Sequence, residues 1–206
     1  AFLALEWIEF GRGSRHSEAL LGEQLAALHR VTARQFGWHR DNTIGATPQR
    51  NDWRPDWPAF FARHRLGFQL ELAASSGHAG KWLDRGRELS ERAGAFFAGY
   101  APSPSLLHGD LWGGNWAPDA SGAPVIFDPA THYGDREADL AMTHLFGGFG
   151  REFYAAYEAA WPLGPGASAR RDLYNLYHVL NHLNLFGGGY RAQAERMIGR
   201  LLAGIR

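Results

Sequence analysis

Leu21, Leu25, Leu28 and the pair Val31/Thr32 recur at helical spacing between Ser17 and Gln35, which predicts an amphipathic helix capped by Ser17. Ahead of it, Phe2-Leu3-Ala4-Leu5-Glu6-Trp7-Ile8 reads as a short strand, and Gly11, Gly13 and Ser14 mark a turn. Residues 36–58 lose all periodicity and carry Gly, Asn, Pro and three Trp, so an irregular loop is expected there. Two further helices are predicted over 58–74 and 80–99, separated by Ser75-Ser76-Gly77. The period then changes. Ser105-Leu106-Leu107-His108 and Val125-Ile126-Phe127-Asp128 look like short strands, with Asp119-Ala120-Ser121-Gly122 as a hairpin-like turn between them. Residues 135–146, 150–160, 168–186 and 190–204 read as helices punctuated by glycines. The pattern predicts an α+β fold, mostly helical, with a small central β-hairpin element. No repeat, low-complexity stretch or linker interrupts it, so a single domain is expected.

Composition narrows the class. The 206 residues are 45% hydrophobic and 14% aromatic, with eight Trp, enough to build a packed core. Twenty-one basic and 21 acidic residues give a formal net charge of zero, which offers no electrostatic case for nucleic acid or an anionic membrane as partner. Cysteine is absent, so disulfides, thiolate metal sites and thiol catalysis drop out. No apolar run is long enough to span a bilayer and no secretion signal is visible, which makes a cytoplasmic location the expectation.

The chemistry is concentrated in His108-Gly109-Asp110-Leu111-Trp112-Gly113-Gly114-Asn115, followed by Asp128 at the end of a β-branched and aromatic run. Phosphoryl transfer needs a group that orients and deprotonates the attacking hydroxyl, and divalent cations clamped on the phosphates. Asp110, on a loop just after a strand, suits the first task. Asn115 and Asp128 offer the hard oxygen donors that magnesium prefers. The glycines let the loop fold back so that these side chains converge. His108 is expected to brace the loop. Asp and Asn in a Gly-rich loop are also ordinary turn formers. What lifts this set above that reading is the His-Gly-Asp start, the five-residue step to Asn115 and the second aspartate one hairpin later.

On these residues the chain resembles the aminoglycoside-phosphotransferase and choline-kinase branch of the protein-kinase-like superfamily, and more narrowly the fructosamine-3-kinase (ketosamine kinase) family. The narrow resemblance rests on LEWIEFG at 5–11, LGEQLAALHR at 21–30, DNTIGATPQRN at 41–51, HGDLWGGNW at 108–116 and IFDPATHYGDREADLAM at 126–142. FYAAYEAAWPL at 153–163 and LYHVLNHLNLFGGGY at 176–190 extend it over nearly the whole chain. The resemblance implies ATP and Mg2+ as cofactors, Asp110 as proton acceptor, and Asn115 and Asp128 as metal ligands. It implies an adenine contact from the backbone of Glu6, Trp7 and Ile8 in an inter-lobe hinge. It also implies support of the catalytic loop by Asp139. The implied substrates are fructosamines and related ketosamines, free or protein-linked, whose phosphorylation at the sugar 3-hydroxyl destabilises the adduct and so repairs glycation. In this frame residues 1–10 are a hinge-strand remnant and 11–206 a kinase-like C-terminal catalytic lobe with the N-terminal lobe missing. The Gly-rich phosphate loop and strand lysine of such enzymes are not found ahead of Asp110, and Lys81 falls in a predicted helix. Activity of these residues alone is therefore doubtful, and an inactive remnant or a kinase for another small alcohol stands as the alternative.

Other residues divide between function and scaffold. Trp112 could stack on a substrate or pack beneath its loop. Asp135, Glu137 and Asp139 open a helix, where acids are ordinary dipole partners, the preferred reading for Glu137. His178 and His182, spaced i, i+4, lack a third ligand. With Asn181 and Asn184 they are expected in a polar patch or in core contacts rather than on a metal. The loop carrying Asp41, Asn42, Trp53 and Trp57 is expected to serve packing.

Overall fold

The computed structural model describes residues 5–205. Its mixed, largely helical architecture matches the expectation, and the differences lie in how the short elements begin, end and pair.

The first helix, α1 (Arg15–His29), starts earlier than its apolar stripe suggests. Ser14, not Ser17, is the cap: its extended backbone and hydroxyl accept the Ser17 N–H at 3.1 Å, while Ser17 is buried one turn inside. The helix stops at His29 because the next residues are used elsewhere. Val31 accepts from the Leu106 N–H and Thr32 bridges Ser105, so this β-branched pair joins a ladder instead of a sixth turn. Residues 5–8 carry no regular structure and Leu5 and Trp7 are exposed, so the expected strand is not formed there; residues 2–4 lie outside the described residues. Phe10 does bridge Asp119, and its ring stacks on Phe127 at 5.4 Å.

The supposed loop over 36–58 contains a hairpin, β1 (Asn42–Ile44) paired with β2 (Thr47–Gln49) through Gly45. Its signal is hidden because the strands are three residues long. One continuous helical rod follows: α2 (Trp57–Phe61), a π-helical turn (Ala62–Gly67) and α3 (Phe68–Ser75). The widened turn frees the Ala62 carbonyl, which the Ser90 hydroxyl takes up at 2.9 Å. Next comes α4 (Lys81–Arg92), which tightens into a 3-10 turn over Ala93–Phe97.

The central β element is two ladders rather than one hairpin. Here β3 (Ser105–Leu107) pairs antiparallel with β6 (His132–Gly134), and β4 (Trp116–Pro118) with β5 (Pro124–Ile126). The turn at Asp119–Gly122 joins β4 to β5, so residues 105–108 and 125–128 are not partners. This pairing places both chemically interesting loops, β3 to β4 and β5 to β6, at the same crossing between ladders. The remaining helices are α5 (Glu137–Leu145), α6 (Arg151–Ala160), α7 (Ala167–Phe186) and α8 (Tyr190–Gly204), close to the predicted spans.

Two apolar cores fill the interior. The larger wraps α7 with Trp57, Phe60, Phe61, Leu70, Leu89, Leu180 and Ile198. A smaller one sets α1 against α6 through Leu21, Leu25, Phe153 and Tyr157, and it also takes in Leu111. The residue after Asp110 is thus a fully buried anchor, and burying a leucine contributes about 2 kcal/mol to fixing the loop. Among the described residues no helix is long and apolar enough to cross a membrane.

Candidate active site

Asp110 sits on a loop held from below by a single buried carboxylate. Asp139, in the first turn of α5, accepts the backbone N–H groups of His108 at 2.7 Å and Gly109 at 2.8 Å. It also faces His29 Nε2 at 3.1 Å, and His29 Nδ1 lies 2.8 Å from the Tyr157 hydroxyl. Burial pushes Asp139 up, but the His29 and backbone donors outweigh it and hold the acid below the usual carboxylate range. Gly109 is at φ 85, and a Cβ there would stand 2.2 Å from the Ala130 carbonyl oxygen. Only glycine fits that crossing.

His108 ties the two loops together. One neutral tautomer satisfies both its contacts: Nε2–H donates to the Phe127 carbonyl at 2.9 Å, and Nδ1 accepts the Asp110 N–H at 3.2 Å. Burial lowers its pKa, consistent with an uncharged ring. The backbone repeats the link, with Ala130 N–H on the His108 carbonyl and Phe127 N–H on the Asn115 carbonyl.

The Asn115 carboxamide closes the constellation. Its Nδ2 donates to the Asp110 carbonyl at 2.9 Å and reaches Asp110 Oδ2 at 3.4 Å and the Asp128 carbonyl at 3.5 Å. Asp110, Asn115 and Asp128, spread over 19 residues of sequence, therefore share one hydrogen-bonded corner. Burial raises Asp110 to about 6; the charges of Asp139 and Asp128 push the same way and the Asn115 donor opposes them. A carboxylate poised there accepts a proton efficiently near neutral pH. Asp128 is exposed and is the one non-glycine at positive φ among the described residues, at 54°. Strain of this kind, on the order of 1 kcal/mol, persists where surrounding contacts over-determine the backbone, as they do here.

The donor set fits a hard divalent cation. The nitrogen of Asn115 is committed to carbonyls, which leaves its oxygen, and Asp128 presents an exposed carboxylate. Among the described residues no cluster of three His, Asp or Glu could hold a metal by itself. A cation bound here would complete its shell from phosphate oxygens and water, as magnesium commonly does.

Trp112 is 41% exposed and its ring lies over Gly114, where a Cβ would come within 2.3 Å of it. Glu6 and Trp7 are exposed and Ile8 is half-buried, with no side-chain tie to the Asp110 loop. Glu137 departs from expectation. It is no helix-dipole partner but a buried acid bound bidentately by Arg170 at 2.7 and 2.9 Å. Trp57 is core, and His178 is buried beside it, while His182 packs between Phe146, Phe186 and Tyr190. Asn181 and Asn184 bond Gln69.

Sequence reasoning missed the supports that come from far away. Asn42 donates to the Thr131 carbonyl at 2.8 Å, and Gln49 donates to the Ala130 carbonyl at 3.0 Å, pinning the segment behind Asp128. His29 lies 110 positions from its carboxylate. No local pattern signals either.

Comparison with known proteins agrees with this geometry. The family model for fructosamine kinase matches residues 1–204. A relative named "Probable ketoamine kinase" from Synechocystis sp. is 52% identical over 203 residues, covering 98% of this chain and 68% of that protein. "Protein-ribulosamine 3-kinase, chloroplastic" from Oryza sativa subsp. japonica is 48% identical over 200 residues, or 96% of this chain and 58% of that protein. A crystal structure of a candidate fructosamine-3-kinase from Thermobifida fusca superposes with a TM-score of 0.89 at 34% identity, covering 96% of this chain and 69% of that one. The protein is thus a phosphotransferase of the kinase class. Within that class, the chain belongs to the fructosamine kinase family.

Proposed function

We propose that this chain is the catalytic lobe of an enzyme that moves the γ-phosphoryl group of ATP onto a sugar hydroxyl of a ketosamine, free or protein-linked. The observation that carries the reading is the corner shared by Asp110, Asn115 and Asp128 in a chain of this family. In it, Asp110 receives the proton of the attacking hydroxyl. Its raised pKa makes it a base strong enough to take the proton as the bond to phosphorus forms, and weak enough to be ionised beforehand. Asn115 and Asp128 hold Mg2+, which neutralises charge on the phosphates. Neutral His108 and buried Asp139 hold the base and metal loops in register and do no proton transfer themselves. The half-exposed Trp112 ring offers the acceptor a flat face beside the base.

The same reading assigns residues 11–206 to a kinase-like C-terminal lobe and residues 1–10 to its hinge, with the Glu6, Trp7 and Ile8 backbone against adenine. These residues supply the base and metal side of the reaction, and the single lysine, Lys81, sits on α4, away from that loop. The test is phosphate transfer from ATP to fructoselysine by the gene product that carries this chain. Mg2+-dependent transfer, lost in Asp110→Asn, is expected. Transfer only to a different alcohol would overturn the substrate, and an unchanged rate in Asp110→Asn would overturn the base.

A further inference from the structure

On the α5–α7–α8 side lies a cleft of about 490 Å3 that the phosphotransfer chemistry does not use. His144 from α5, Arg171 and Asn175 from α7, and Gln193, Arg196 and Arg200 from α8 converge on it. Among the described residues it has one acid, Asp172, which lies 3.9 Å from Arg200. Arg171 and Arg196 have no carboxylate within ion-pair distance among the described residues. Elsewhere on the surface the charges are interleaved, as Arg87 with Glu71 and Asp84, or Arg92 with Glu88.

An arginine-rich helix face on its own is ordinary solvated surface. Two observations set this one apart. The first is shape: donors from three elements face into one concavity rather than outward along a single helix. The second is Asn175, which is 6% exposed and lines the cleft with its side-chain oxygen buried and unbonded. Buried carboxamides are nearly always hydrogen-bonded, so one left open at the floor of a basic cleft marks a place where a bound group supplies the partner.

We propose that this cleft is a binding site for a phosphate monoester dianion, separate from the candidate active site. Two or three guanidinium groups around a small concavity match a tetrahedral oxyanion through paired N–H donors, and their summed charge suits a dianion better than a carboxylate. The cleft is too small for a nucleic-acid strand, and the chain's zero net charge gives no wider field to attract one. The ligand is inorganic phosphate or the phosphate of a small phosphosugar. The site is also coupled to the acceptor side. Just beyond Leu145, which lines the cleft, the Gly147–Gly148 backbone packs on Gly113, where a Cβ would fall 3.0 Å from the Gly147 oxygen.

Calorimetric titration of inorganic phosphate and of fructose 6-phosphate, without nucleotide or magnesium, tests the proposal and is independent of any activity assay. Saturable binding with Kd on the order of 1 mM or tighter is expected for at least one probe. Arg171→Ala combined with Arg196→Ala should weaken it at least about tenfold, and Asn175→Leu should weaken it in a protein whose thermal melt shows it folded. Asp128→Ala should bind as the wild type does. Tighter binding of the phosphosugar identifies a sugar-phosphate site and equal binding a free-phosphate site. The proposal is overturned by the absence of saturable binding of either probe, by wild-type affinity in the double arginine variant, or by loss of binding in Asp128→Ala alone.

Discussion

Asp110 owes its character to groups that are not its sequence neighbours. Burial and the Asp139 and Asp128 charges lift its pKa to about 6, and the Asn115 amide restrains the rise. Removing the carboxylate while keeping its shape, Asp110→Asn, should lower kcat about 10²- to 10⁴-fold with little change in thermal stability, as steady-state kinetics beside a melting curve would show. Gly109 tests the scaffold instead. Gly109→Ala puts a methyl into the Ala130 carbonyl at a backbone angle alanine avoids, so both the fold and the activity should suffer, by upwards of about 2 kcal/mol in denaturant unfolding. Residue types and their order in 108–115 were readable from the chain, and so was the candidate trio. The His108 tautomer and the strained backbone of Asp128 were not, because each depends on a carbonyl from the other loop.

Between elements, the helix α5 is the part on which most depends. Its first turn supplies Asp139 to the loop and Glu137 to Arg170 of α7, while Asp135 just ahead of it accepts from Tyr174 at 2.6 Å and Tyr100 at 3.0 Å. Acids at a helix start look like dipole partners from sequence. In the fold they are buried polar struts, a distinction set by what packs on them. Arg170→Met leaves Glu137 buried and unpaired, and should cost about 3–5 kcal/mol in chemical denaturation. Adding Glu137→Leu should recover much of that loss, because the uncompensated charge is then gone. The helices themselves were legible, since an apolar stripe over 10 to 20 residues is a strong signal. The three-residue strands were not: β1, β2, β4 and β6 are too short to show alternation, and long-range partners alone define them.

For the whole molecule, the two cores meet at the Asp110 loop, so stability and site geometry are linked. Leu111→Ala empties a position at the smaller core and should cost about 2–5 kcal/mol while also lowering kcat, measured in parallel by unfolding and turnover. The fold also buries two histidines uncharged. Burial, with Arg65 nearby, lowers His132 to about 3, and burial with His182 lowers His178 to about 3. Their folded pKa values lie below the unfolded value, so the unfolded chain binds the extra protons. Their contribution is complete above about pH 6.5 and is lost as pH falls from there toward 3. Asp135, raised to about 6 mainly by burial, works in the opposite direction between about pH 6 and 4, so the comparison must be made between variants. Between pH 7 and pH 5, His178→Phe should lose less stability than the wild type, by about 2 kcal/mol in urea titrations.

The sequence by itself determined the largely helical character, the spans of α5 to α8, and the presence of a base and two oxygen ligands in one short region. Those are local properties, written in periodicity and in the chemistry of adjacent side chains. Only the tertiary structure decided that β3 pairs with β6 and β4 with β5, and that Asp139 and His29 hold the loop. It alone brings arginines of α7 and α8 around a buried asparagine. Such pairings join residues tens of positions apart through burial and hydrogen bonds that exist only once both partners have been taken out of water.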